Sequence, residues 1–102
     1  MQIVPIQDVY SQQVQVTLAG QQCAINIYQL STGLFCDLYV NSAKIISGVI
    51  CLDRNLIVRD SYLGFIGDIA FADTQGTDDP TSPGLNSRFY LCYLDTFDLA
   101  PA

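Results

Sequence analysis

Apolar and polar residues alternate with a period of two along much of this chain, and very short turn signals separate the alternating runs. In Gln13-Val14-Gln15-Val16-Thr17-Leu18, the residues Val14, Val16 and Leu18 share one face, while Gln13, Gln15 and Thr17 share the other. That pattern describes a half-buried strand. Ala19-Gly20-Gln21 follows as a tight turn, and the run 22–29 sets Cys23, Ile25 and Ile27 opposite Asn26 and Tyr28. After a turn at Leu30-Ser31-Thr32-Gly33, the run 34–40 puts Leu34, Cys36, Leu38 and Val40 in phase. Phe35, Asp37 and Tyr39 take its other face. Asn41-Ser42 turns the chain again. The run 43–52 is apolar on both faces and is interrupted at Ser47-Gly48, where a bulge is expected. Asp53-Arg54-Asn55 is a further turn, and 56–58 reads as a short strand.

Two stronger apolar runs follow. Residues 62–72 read as a strand with Leu63, Phe65, Ile69 and Phe71 on one face, and residues 88–94 read as its partner. Between them lies the long stretch 73–87, which contains Asp78-Asp79 and two prolines. Short turns at steady spacing argue for an antiparallel meander. The fold expected is all-β: a single small antiparallel β-barrel or β-sandwich with a long acidic hairpin loop. Composition agrees, since the chain has no Glu and one Lys but many Val, Ile, Tyr, Phe and Thr.

At 102 residues, the expectation is one domain spanning 1–102, with no repeat and no dividing linker. The ends, 1–12 and 95–102, are less patterned and read either as arms that dock on neighbours or as frayed termini. The start of the chain has no basic segment followed by an apolar one, so no targeting signal is expected. No apolar stretch is long enough to cross a bilayer as a helix, and no membrane association is expected. Hydrophobic residues make up 50% of the chain and charged residues only 14%, which leaves apolar surface to bury against a partner or a second copy.

The net charge is −6, and every acidic residue is Asp. Nucleic acid is excluded as a direct partner, because phosphate binding needs clustered cations and Lys44, Arg54, Arg59 and Arg88 are scattered. Cys23, Cys36, Cys51 and Cys92 show no C-x-x-C spacing, and the chain has no His. They read as buried free thiols rather than as disulfides or zinc ligands. Catalysis lacks its means: there is no His for a Ser or Cys nucleophile, no nucleophile-elbow motif and no phosphate-binding loop. Asp78-Asp79 sits in a stretch expected to be solvated, which does not suit a paired-carboxylate mechanism, and its spacing matches no EF-hand. No enzyme activity, cofactor or metal is expected. The loop is instead where a partner is expected, through Asp73, Gln75, Asp78, Asp79, Pro80 and Pro83, with residues 73–87 protruding from the domain.

Several segments carry a family resemblance: Met1-Gln2-Ile3-Val4-Pro5, the run 20–29 and the run 32–41. The most specific part is the strand from Tyr62, its continuation Asp73-Thr74-Gln75-Gly76, then Asp79-Pro80 and the run 88–94. Together they resemble the bacteriophage baseplate plug family, of the cyanophage type. The resemblance implies a structural virion protein of the tail baseplate, assembled in the host bacterial cytoplasm. Such a protein would plug the central tail conduit at the hub, between tube and spike. It implies hub, tube, spike or other baseplate subunits as partners, and multiple copies or a homo-oligomer in the particle. The alternative reading is a carbohydrate- or protein-binding β module of adhesin type, with Tyr28, Tyr39 or Tyr90 stacking on a sugar.

Overall fold

A computed structural model describes residues 2–58, 65, 67–81 and 84–95. They form seven strands: β1 (Gln2–Val4), β2 (Ser11–Leu18), β3 (Gln21–Leu30), β4 (Gly33–Val40), β5 (Ala43–Ile50), β6 (Asp68–Asp73) and β7 (Phe89–Leu94). These make two antiparallel sheets, one of four strands in the order β2-β3-β4-β5 and one of three in the order β1-β7-β6. Neither sheet closes on itself, so the barrel alternative is set aside. The chain is all-β with two open sheets.

The larger sheet is a meander in chain order. Ala19 and Gly20 join β2 to β3 with φ of 51° and 75°, and Asn41 and Ser42 join β4 to β5 with φ of 50° and 70°. Two consecutive residues of positive φ match the right-handed twist of the flanking strands, which is why two-residue hairpins favour them. Along β3 and β4 burial alternates strictly. Cys23, Ile25, Ile27, Leu34, Cys36, Leu38 and Val40 are buried, while Ala24, Asn26, Tyr28, Phe35, Asp37 and Tyr39 are half-exposed. Val4, Ile69, Phe71, Phe89, Leu91 and Tyr93 of the smaller sheet join the inward residues in one core cluster. Leu85, from the connection between β6 and β7, belongs to it too.

The bulge expected at Ser47-Gly48 is present. Register shifts between Cys36 and Leu38, and again between Leu38 and Tyr39, leave β5 with extra residues against β4, and Gly48 has φ of 64°. Asp37 on β4 faces the first irregularity. Its Oδ1 accepts the Gly48 N–H at 2.7 Å and the Tyr28 hydroxyl at 3.1 Å, and its Oδ2 accepts the Asn26 amide at 3.5 Å. A side chain thus takes up a donor that the interrupted ladder frees.

Several boundaries differ from those read in the sequence. β5 ends at Ile50, and the strand expected over 62–72 begins only at Asp68. Gly67, at φ 92°, breaks the extended conformation there, and residues 62–64 and 66 lie outside those described. The segment 56–58 is not a strand. Its Ile57 N–H is shared between the Ile69 carbonyl at 2.9 Å and Oδ1 of buried Asp68 at 3.1 Å, and the same Oδ1 takes the N–H of Val58 at 2.8 Å and of Ile69 at 2.7 Å. Within the N-terminal dozen residues, 2–4 are already β1, paired with β7 in the register Ile3↔Cys92. Of 95–102, only Asp95 is described.

All four cysteines are buried free thiols. Cys23 and Cys36 lie on inward strand faces, as their phase required. Burial pushes the Cys23 and Cys92 thiols up. A hydrogen bond with Cys36, together with burial, pushes Cys51 up further.

Candidate interaction surface

The connection between β6 and β7 does not stand out as an acidic finger; its described part lies against the body. Its anchor is Asp73, whose side chain is fully buried. Oδ1 accepts Arg88 Nε at 2.8 Å and the Gln75 N–H at 2.8 Å. Oδ2 accepts the second Arg88 bond at 2.8 Å and the Asp78 N–H at 2.9 Å. The fork of the guanidinium matches a carboxylate at two points and fixes both planes. Arg88 holds the Asp73 carboxyl well below the usual carboxylate range against the opposing effect of burial, with the two backbone N–H groups contributing. The same guanidinium reaches exposed Asp78 at 2.8 Å and lies 4.9 Å from the centre of the Phe89 ring.

A second clamp comes from the turn after β5. Asp53 Oδ1 accepts the Asp73 N–H at 2.8 Å, and Asp53 N–H donates to Asp79 Oδ1 at 3.0 Å. Arg54, at φ 57°, donates to the carbonyls of Asp73 at 3.0 Å and Gly76 at 3.3 Å, and pairs with Asp53 at 2.6 Å. Further along, the Thr81 hydroxyl donates to Gln29 Oε1 at 3.2 Å, and the Gly84 N–H donates to Asp8 Oδ2 at 3.0 Å. The connection is therefore tied to β3, to the segment before β2 and to the turn at Asp53.

This arrangement sorts the residues read from the sequence. Gln75, Asp78 and Asp79 are exposed and stand together on the clamped loop. Asp73 and Pro80 are buried, so they hold the loop and offer no surface, and Pro83 lies outside the described residues. Arg88, Arg54 and Asp53 hold the loop in place and are not among the residues read from the sequence. The placement of Asp73 and Arg88 at the two mouths of one hairpin was the available signal.

Of the aromatic residues considered for sugar binding, Tyr28 and Tyr39 lie on the outer face of the larger sheet and Tyr90 on β7 of the smaller one. Tyr28 stacks on Phe35 with centroids 6.1 Å apart and bonds Asp37, and Lys44 sits 5.4 Å from the centre of the Tyr39 ring. Tyr90 is half-buried. An open depression of about 660 Å³ lies around Ala24, walled by Gln13, Gln15, Gln22 and Tyr39. Among the described residues, no group of metal-ligating side chains comes together.

A family model described as the cyanophage baseplate Pam3 plug gp18 matches residues 1–96. The chain belongs to that family. It is a structural plug protein of a phage tail baseplate, located in the virion, and not an enzyme. No curated protein matches the chain. Within the plug family match lie both sheets, the Asp73–Arg88 clamp and the exposed trio of Gln75, Asp78 and Asp79.

Proposed function

We propose that this baseplate plug closes the central tail conduit at the hub, between tube and spike, and that it is present there in several copies. The family match over 1–96 carries this reading. The two open sheets, read as a sandwich over one core, form a rigid body suited to obstruction rather than catalysis. The partners proposed are hub, tube or spike subunits, met through Gln75, Asp78 and Asp79. These side chains project from a loop already fixed by Asp73, Arg88 and Arg54, so little ordering remains to be done on binding. The carboxylates of Asp78 and Asp79 would meet basic groups and add specificity more than affinity. A net charge of −6 also disfavours adhesion to DNA in the conduit.

The test is assembly in the presence of the Asp78→Ser, Asp79→Ser double variant. The isolated variant is expected to keep its fold while losing about 1 kcal/mol, because the exposed Asp78–Arg88 pair and the Asp53 N–H bond to Asp79 Oδ1 go with the two carboxylates. Its incorporation into baseplates is expected to fall, and particles without the protein are expected to leak or fail to assemble. Wild-type incorporation of the double variant would remove these charges from the interface. Sealed, infective particles lacking the protein would overturn the plug reading.

A further inference from the structure

Four strand edges are left by the two open sheets, and three of them are guarded. β1 is three residues long and is followed at once by Pro5. β6 is covered along its free side, where the Arg54 N–H donates to the Phe71 carbonyl at 2.7 Å and the Ile57 N–H to the Ile69 carbonyl at 2.9 Å. β5 is broken by two register shifts, with Gly48 in a left-handed conformation and Lys44 on the strand. Short strands, bulges, lysines and covering segments are the devices by which proteins keep edges from pairing. Among the described residues, β2 has none of these. Ser11–Leu18 is eight residues long, pairs with β3 in unbroken register, and contains no charge, no proline and no glycine.

The ladder fixes which backbone groups are left over. Gln29 N–H donates to the Tyr10 carbonyl at 2.7 Å, so the even-numbered residues of this run make the bonds to β3. The odd-numbered residues Ser11, Gln13, Gln15 and Thr17 therefore aim their N–H and C=O groups at the free edge. On the underside, Val14 and Val16 sit at the margin of the core and are only half-buried.

We propose that β2 is a self-pairing edge, and that its occupant is β2 of a second copy, laid antiparallel about a twofold axis at Gln15. In that register Gln15 faces its own counterpart and Gln13 faces Thr17 of the second copy. These are the residues with outward backbone groups, so each facing pair exchanges two hydrogen bonds. Val14 then lies beside Val16 of the second copy in the closer, non-bonded positions, and the half-exposed valines of both chains are covered. The two four-stranded sheets become one sheet of eight. An uncharged strand in a chain of net charge −6 is where two copies can approach without opposing carboxylates. This deepens the several-copies reading above and rests on it for its place in the particle. The contact itself is read on the isolated chain, so its failure is separate from any failure of baseplate incorporation.

Sedimentation of the purified chain over a dilution series should show a monomer–dimer equilibrium. Gln15→Pro removes an N–H that bonds nothing within the chain and should weaken dimerisation at least about tenfold, with the far-ultraviolet dichroism of the monomer unchanged. Gln15→Lys, which puts like charges face to face, should do the same. Oxidation of Gln15→Cys should give a covalent dimer, because directly paired residues fall within about 4.4–6.8 Å between Cα atoms. Thr17→Cys alone should not cross-link, but should do so when mixed with Gln13→Cys. A wild-type chain monomeric at every concentration would overturn the proposal. So would a dimer that survives both Gln15 variants, or one in which Thr17→Cys cross-links as fast as Gln15→Cys.

Discussion

Single carboxylates decide more of this structure than their number suggests, and Asp68 and Asp73 do so from buried positions. Asp68 gathers three backbone N–H groups on one oxygen and so ties the segment 57–58 to the start of β6. Asp68→Ala removes the shared acceptor, leaving Ile57 only its bond to the Ile69 carbonyl, and should destabilise the fold by about 3 kcal/mol. Asp68→Asn keeps a carbonyl oxygen in the same place and should lose about 1 kcal/mol, since the bonds survive without the charge. Urea unfolding of the two variants separates these outcomes, and equal losses would mean that the charge, not the acceptor, matters. Neither aspartate could be recognised as buried from the sequence. An Asp beside a turn reads as solvated, and only the backbone donors and the guanidinium arriving from distant positions make burial tolerable.

The alternating strands were legible because β3 and β4 each have one face in the core and one toward solvent. β1 was not, since three residues carry no periodicity and Pro5 reads as a breaker. β6 misled in a different way. Asp68, Ile69, Ala70 and Phe71 are buried in succession, so its apolar run merged with what precedes it. The glycines mark the difference between bend and extension. Gly48 has φ 64°, and a Cβ there would meet only the Tyr28 hydroxyl at 3.8 Å. Gly48→Ala should therefore cost only the left-handed strain, about 1 kcal/mol. Gly67 has φ 92°, and a Cβ there would run into the Leu94 carbonyl and come within 2.7 Å of the Tyr93 hydroxyl. Because backbone cannot yield as a side chain tip can, Gly67→Ala should lose about 3 kcal/mol or more. Chemical denaturation of the pair checks the order; similar losses would show that β7 has room to move. In the interaction surface the exposed trio was legible as polar loop residues. The clamp was not, because Asp53, Arg54, Asp73 and Arg88 meet only once the two hairpin mouths and the turn after β5 are folded together.

Across the whole molecule, acid should act through the carboxylates that the fold has made hard to protonate. Arg88 holds Asp73 far below its ordinary value. For Asp37, burial works upward, but the Gly48 N–H, the Tyr28 hydroxyl, the Asn26 amide and the Lys44 charge together bring it down. In an unfolded chain both carboxyls titrate near about 3.9. Between that value and the lower folded ones, the unfolded state binds more protons than the native state, so stability rises with pH there. The contribution is complete above the unfolded value and is lost as pH falls toward the folded ones. The urea midpoint of the wild-type chain should thus stay level from neutral pH to about pH 5 and fall steeply below about pH 4. Asp73→Asn should be less stable at neutral pH, because Arg88 loses its buried charged partner and keeps only exposed Asp78. It should also fall less on acidification, having one depressed carboxyl fewer, and the two curves should converge toward low pH. Parallel curves would show that Asp73 carries no linked proton, and would place the acid sensitivity of the plug elsewhere among its ten aspartates.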